Sequence, residues 1–354
     1  MNTLLNVLVF GFGTWLVFYT LNAAIRSFVL PRGDNVWLTR VIFHKIWQFF
    51  ELRIKWAKTD EEREGILAMY TPVTLLIIPV VWLTLVTIGF MGMFWALGVR
   101  PMYEAFVLSG SSLLTLGFAP VTTFGQTLLA FLEAIIGLIL IALLIAYLPT
   151  MYAAFSRREN LVARLEVYAG SPPIAVEIIA RMHRLKGIAY LEEVYTQWEI
   201  WFAEIEEAQT TFGPLNFFRS PKPHRSWVTA SAAVLDSAAL LLSTLDVPRE
   251  PRAALCIRAG YLALRSIADF FGFSYEPVPV YGAAIQISRE EFDAACAQLE
   301  AQGLPLKTDR DQAYKDFAGW RVNYEDVLLS IAAITLAPPS PWSSDRAKLL
   351  PTRT

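Results

Sequence analysis

The sequence predicts an all-α membrane protein: three transmembrane helices, a short re-entrant helix between the second and third, and a helical cytoplasmic domain. Three observations lead there. Of 354 residues, 55% are hydrophobic and only 18% charged, against about 25% charged in an ordinary soluble domain. The excess sits in the first 155 residues, in apolar runs longer than the roughly 20 residues a helix needs to cross the hydrocarbon core. Beyond residue 155 apolar positions recur at helical spacing among ordinary numbers of charges.

The spans follow from where charge is missing. Residues 4–30 carry one charge, Arg26; residues 65–99 carry none; residues 105–156 carry only Glu133. Spanning helices are predicted over 4–30, 70–98 and 125–152, with a shorter apolar segment at 101–123. No Lys or Arg precedes the first run, whereas Arg26, Arg32, Arg40 and Lys45 follow it. That order belongs to a retained anchor with its N-terminus outside, and not to a cleaved secretory signal. Arg53, Lys55, Lys58 and Arg63 then lie inside, as do Arg157, Arg158 and Arg164 after the third span, while the outer loop offers only Arg100 and Glu104. The expected location is the plasma (inner) membrane, multi-pass, with the C-terminal domain in the cytoplasm. The domains read as 1–64 (anchor and interfacial helix), 65–155 (helix, loop, helix) and 156–354 (cytoplasmic).

Residues 36–58 mix Trp37, Val41, Phe43, Trp47, Phe50 and Trp56 with Arg40, Lys45, Arg53, Lys55 and Lys58. A basic, aromatic helix of this kind suits the inner membrane interface, with membrane lipids as its partner.

Segment 101–123 is too short to span and is broken by Gly110, Gly117 and Pro120, so it must turn back. A short helix over 102–114 is predicted, then an extended stretch at 115–119. Carbonyls of extended backbone at membrane depth find no partner in lipid, and they persist only when buried in protein or facing a water-filled path. A ring of such carbonyls replaces the hydration shell of a cation.

Here the chain resembles the pore domain of the potassium-channel superfamily: a helix, a pore helix, a filter of the T-x-G-[YF]-G kind and a second helix, over residues 70–155. Ser109, Ser111, Ser112 and Thr115 stand where the family has small or hydroxyl residues, followed by Leu116, Gly117 and Phe118. The resemblance implies a homotetramer whose filter carbonyls come from Thr115, Leu116, Gly117, Phe118 and Ala119, with Ser111 and Ser112 supporting the pore helix. It implies potassium or another monovalent cation as the permeant ion, with no other metal and no cofactor. Two positions depart from the pattern: the second filter glycine is Ala119, and the acidic residue after it is Pro120.

In the third span three residues stand out. Glu133 lies in the outer third, where it either hydrogen-bonds behind the filter to Ser109 or Ser112 or faces the cavity. Gly137 is either a gating hinge or a packing glycine. Pro149 removes a backbone donor and is expected to kink the helix, which makes 145–149 the candidate inner gate.

The C-terminal half reads as helices over 159–169, 174–186, 188–210, 226–245, 252–271, 289–302 and 311–336, with a short extended piece at 277–287. It holds no glycine-rich nucleotide fingerprint. His44, His183 and His224 are isolated, and Cys256 and Cys296 show no metal spacing. Glu192, Glu193, Glu199, Glu204, Glu206 and Glu207 read as the solvated face of a helix whose other face holds Trp198, Ile200, Trp201 and Ile205. Thirty Lys and Arg against 32 Asp and Glu give no basic field for nucleic acid, and no enzyme constellation is visible. A cation channel is the leading expectation. A non-conducting membrane-anchored signalling or scaffold protein on the same fold is the alternative.

Overall fold

The structure, a computed structural model, describes residues 3–28, 37–185, 187–348 and 351. Arg32 and Val36, counted above among the inner flank and the interfacial helix, lie outside the described residues, as does the end of the predicted first span. The protein is all-helical, with no strand among the described residues. The chain forms two compact units, Met1–Tyr152 and Ala153–Thr354.

The first unit contains α1 (Thr3–Phe28), α2 (Trp37–Ile54), α3 (Asp60–Ala96), α4 (Met102–Leu113) and most of α5 (Phe124–Ala169). Segments within α1, α3 and α5 are each long and apolar enough to cross a membrane, so the chain is compatible with a multi-pass membrane protein. Two of these helices run further than the charge-free limits suggested. α3 begins ten residues before position 70, because Thr59 caps it: the Thr59 Oγ1 accepts from Glu62 N at 3.2 Å. α5 continues to Ala169 and absorbs the separate helix expected at 159–169, since no glycine or proline lies between Pro149 and Gly170.

α1 and α3 meet through glycine. A Cβ on Gly13 would lie 2.4 Å from the carbonyl oxygen of Gly89, so only hydrogen allows the two backbones this close. Gly11, two residues earlier in α1, has nothing within 4 Å of its Cβ position. α2 is fastened to α3 at Tyr70, whose hydroxyl donates to Phe43 O (3.2 Å) while its ring meets those of Phe43, Trp47 and Phe50. The opposite side of α2 exposes Trp37, Arg40, Lys45, Phe49 and Arg53.

The second unit contains the end of α5, then α6 (Ala175–Leu185), α7 (Leu191–Thr211), α8 (Trp227–Thr244), α9 (Pro251–Phe270), α10 (Arg289–Ala301), α11 (Arg310–Arg321) and α12 (Glu325–Ile334). α8 is apolar enough to cross a membrane, yet 94% of it is buried inside the protein. It is the central core helix, apolar on every side because α6, α9, α11 and α12 surround it.

Three expectations for this half are corrected. The helix expected over 311–336 is two helices, since the backbone leaves α-helical form at 322–324, where Asn323 Nδ2 bonds Gly319 O and Trp320 O. The extended piece at 277–287 is irregular chain with turns. Ile200, placed with the inward face of α7, is 58% exposed, whereas Trp198, Trp201 and Ile205 are buried. Arg158, counted with the inner flank, is also buried: its guanidinium donates to Leu215 O and Phe218 O, both at 2.8 Å.

Candidate functional site

The site is built around the C-terminal end of α4. The helix ends at Leu113, and Thr115 and Gly117 then take left-handed backbone, with φ of 55° and 70°. Segment 115–119 is therefore not a simple extended stretch. A β-branched residue rarely adopts φ > 0, and such strain persists only where surrounding structure over-determines it.

What determines it here is Ser111. Leu116 N and Gly117 N donate to Ser111 O at 2.8 and 3.3 Å, and Phe118 N and Ala119 N donate to Ser111 Oγ at 3.0 and 3.1 Å. Four successive N–H groups thus converge on the two oxygens of one residue, the arrangement that alternating backbone handedness produces. Peptide carbonyls point away from their N–H groups, and among the described residues no hydrogen bond ends on a carbonyl of 115–119. Leu116 and Phe118 are 60% and 64% exposed, so their side chains do not cover the loop.

Ala119, the departure from the resembled pattern, does not have positive φ. Its methyl group therefore meets none of the roughly 1–2 kcal/mol penalty that a left-handed L-residue carries.

Behind the loop, Ser109 joins three helices. Its Oγ donates to Glu133 Oε1 on α5 at 2.5 Å and lies 3.1 Å from Thr87 O on α3. Glu133 is fully buried, and its hydrogen bond goes to Ser109, one of the two serines considered for it. Ser112 is not part of this network, because its hydroxyl turns back to Leu108 O at 2.9 Å. Gly137 lies against the end of α4: a Cβ there would stand 2.1 Å from Leu113 O. α5 stays helical through both Gly137 and Pro149. Ile145 is 67% exposed, and Tyr147 is buried with its ring 4.2 Å from that of Phe28.

Two supports were not foreseen. Gln126 Oε1 accepts from Thr122 N (3.1 Å) and Thr122 Oγ1 (2.9 Å), tying the segment between α4 and α5 to the start of α5. Thr87 contributes a carbonyl, and no side-chain pattern marks a backbone acceptor. Gln126 is 5% exposed beside a Thr-Thr pair, a helix-start signal that could have been found.

No family model, curated protein or solved structure matches this chain.

Proposed function

We propose that the protein is a cation channel of potassium type, formed by four copies of the chain around one axis. The observation that carries this reading is the convergence of the 116–119 N–H groups on Ser111, together with the lack of any hydrogen bond to the carbonyls of 115–119 among the described residues. At membrane depth such carbonyls need a polar occupant. Four loops would present rings of oxygens that replace a cation's hydration shell, from Thr115 at the inner end through Leu116, Gly117 and Phe118 to Ala119.

In this reading α1, α3 and α5 span the bilayer, α4 is the re-entrant pore helix, and α2 lies at the inner interface against lipid headgroups. Support for the assembly comes from α5, whose outer two turns and middle expose Leu128, Phe131, Leu132, Ile135, Leu138 and Ile139. An apolar face of that length is covered by lipid or by neighbouring chains. Glu133 holds the pore helix through Ser109. Gly137 is committed to its contact with Leu113, so the moving point of α5 is placed at Pro149, with the gate over 145–149. Opening there would widen the path without disturbing the filter.

The test is flux. Purified protein in liposomes is expected to pass potassium, with sodium as the comparison ion, and to run as a tetramer in mild detergent. A folded tetramer that passes neither ion would instead be the non-conducting scaffold.

A further inference from the structure

The second unit contains a cleft of about 520 Å³ that the pore reading does not use. Its size falls within the span of about 300–1,000 Å³ usual for small-molecule sites. The cleft exists because two distant segments are stitched together. Leu245, just after α8, bridges Leu306 in the α10–α11 connection, with Asp246 N donating to Pro305 O and Lys307 N to Thr244 O, each at 2.9 Å. That pairing brings Lys307 beside the turn that carries Arg249.

The floor is apolar, formed by Leu241, Leu242 and Leu245. Trp320 of α11 and Tyr281 also line the cleft. Tyr281 is held in place at two points. Its hydroxyl bonds Asp316 Oδ1 at 2.6 Å, and its ring lies over Gly319, where a Cβ would come within 2.6 Å of a ring carbon. Two aromatic side chains beside an apolar floor favour a ligand with a flat apolar body.

The charges discriminate further. The two carboxylates of the lining already accept hydrogen bonds from the domain: Asp316 from Tyr281 and from Gln312 Nε2 (2.9 Å), and Glu250 from Arg252 N (2.9 Å) at the start of α9. The two cations are differently placed. Among the described residues neither Arg249 nor Lys307 has a carboxylate partner; Lys307 Nζ donates once, to Leu242 O at 2.8 Å, which leaves two of its three donors. Arg249 keeps its whole guanidinium fork.

We propose that this cleft binds a small organic anion with a flat apolar body, its charged group on Arg249 and Lys307 and its body against the aromatic lining of Trp320 and Tyr281. The proposal stands on the second unit alone and does not depend on conduction.

The probe is 1-naphthoate, titrated calorimetrically into the full chain in detergent. Saturable binding at one site per chain is expected, weakened at least tenfold by Arg249→Ala with Lys307→Ala, while inorganic phosphate, which lacks the flat body, binds far more weakly. Because Lys307 also caps α8, Arg249→Ala is tested alone as well: that side chain is exposed and makes no hydrogen bond or ion pair among the described residues, so a several-fold weakening there is expected. Absence of saturable binding at about 1 mM, undiminished affinity in Arg249→Ala, or equal affinity for phosphate would each overturn the proposal.

Discussion

Ser111 Oγ lies 3.1 Å from Ala119 N, eight residues along the chain, and the same oxygen accepts Phe118 N at 3.0 Å. One hydroxyl therefore sets the course of the loop after α4. Ser111→Ala leaves two N–H groups without their acceptor, at a cost of about 1–3 kcal/mol for a buried donor. On the proposed channel reading, the expected outcome is loss of potassium flux with the proposed tetramer retained on gel filtration, while Ser111→Thr, which keeps the oxygen, retains flux. Equal flux from the alanine variant would show that Ser111 does not hold the conducting loop.

Gly137 makes a second prediction, on packing. With Leu113 O only 2.1 Å from a new Cβ, Gly137→Ala must push α5 away from α4. Overpacking of this kind costs about 1–3 kcal/mol. A lower thermal midpoint in detergent is expected. Gly11→Ala is the control: nothing lies within 4 Å of its Cβ, so its midpoint should stay put.

Glu133 and Ser109 connect α5 to α4, so Glu133→Ala should loosen α4 while Glu133→Gln keeps a hydrogen-bonding group at the same place. The expected order of stability in detergent is native, then Gln, then Ala, with the alanine variant losing about 2–5 kcal/mol through cavity and lost bond together. An alanine variant as stable as the native chain would remove Glu133 from the support of α4.

The core of the second unit contains a buried ion network. Arg321 donates to Asp236 and, at 2.7 Å, to Glu325 Oε1, and Tyr324 donates to Asp236 Oδ1 at 2.7 Å; Arg321 is 0% and Asp236 1% exposed. Arg321 balances two buried carboxylates, Asp236 and Glu325, so removing it leaves both without their cation. Arg321→Met is therefore expected to destabilise this unit by about 3–5 kcal/mol, read by tryptophan fluorescence in denaturant. Adding Asp236→Asn and Glu325→Gln should recover part of the loss, because no charge of the network then remains buried.

Acid sensitivity follows from two partly exposed pairs. The Arg346 guanidinium beside Glu291, and Arg225 beside Glu166, hold those carboxyls below the usual carboxylate range. A carboxyl whose folded pKa is depressed contributes stability that is full above its unfolded value, near about 4.3, and is lost as pH falls through the lower folded value. The second unit should therefore lose stability as the medium is acidified below about pH 4. Glu291→Gln, measured by thermal melting across pH 3–7, should flatten part of that acid limb; an unchanged slope would assign it to other groups.

How much of this was legible in the sequence differs by scale. The apolar runs, the short helix before the Thr-Leu-Gly-Phe stretch and the core helices of the C-terminal half follow from composition and period, because a helix is set by residues three and four apart. The involvement of Ser111 could be anticipated from its place, but its four-donor geometry could not. That geometry depends on left-handed backbone at Thr115, which local preference opposes and only the surrounding fold imposes.

Sequence alone determined that this chain is helical, that its first part is apolar enough for several membrane crossings, and that one apolar segment is too short to cross. Only the tertiary structure decided which apolar helix is enclosed by protein. α8 satisfies the composition of a span yet is almost wholly buried, whereas the corresponding windows of α1 and α5 are each only 17% buried. It also decided where Asp236 and Arg321, 85 residues apart, would meet. The physical reason is one of range: hydrophobicity says that a face must leave water, and only the neighbours that the chain folds against it say what covers it.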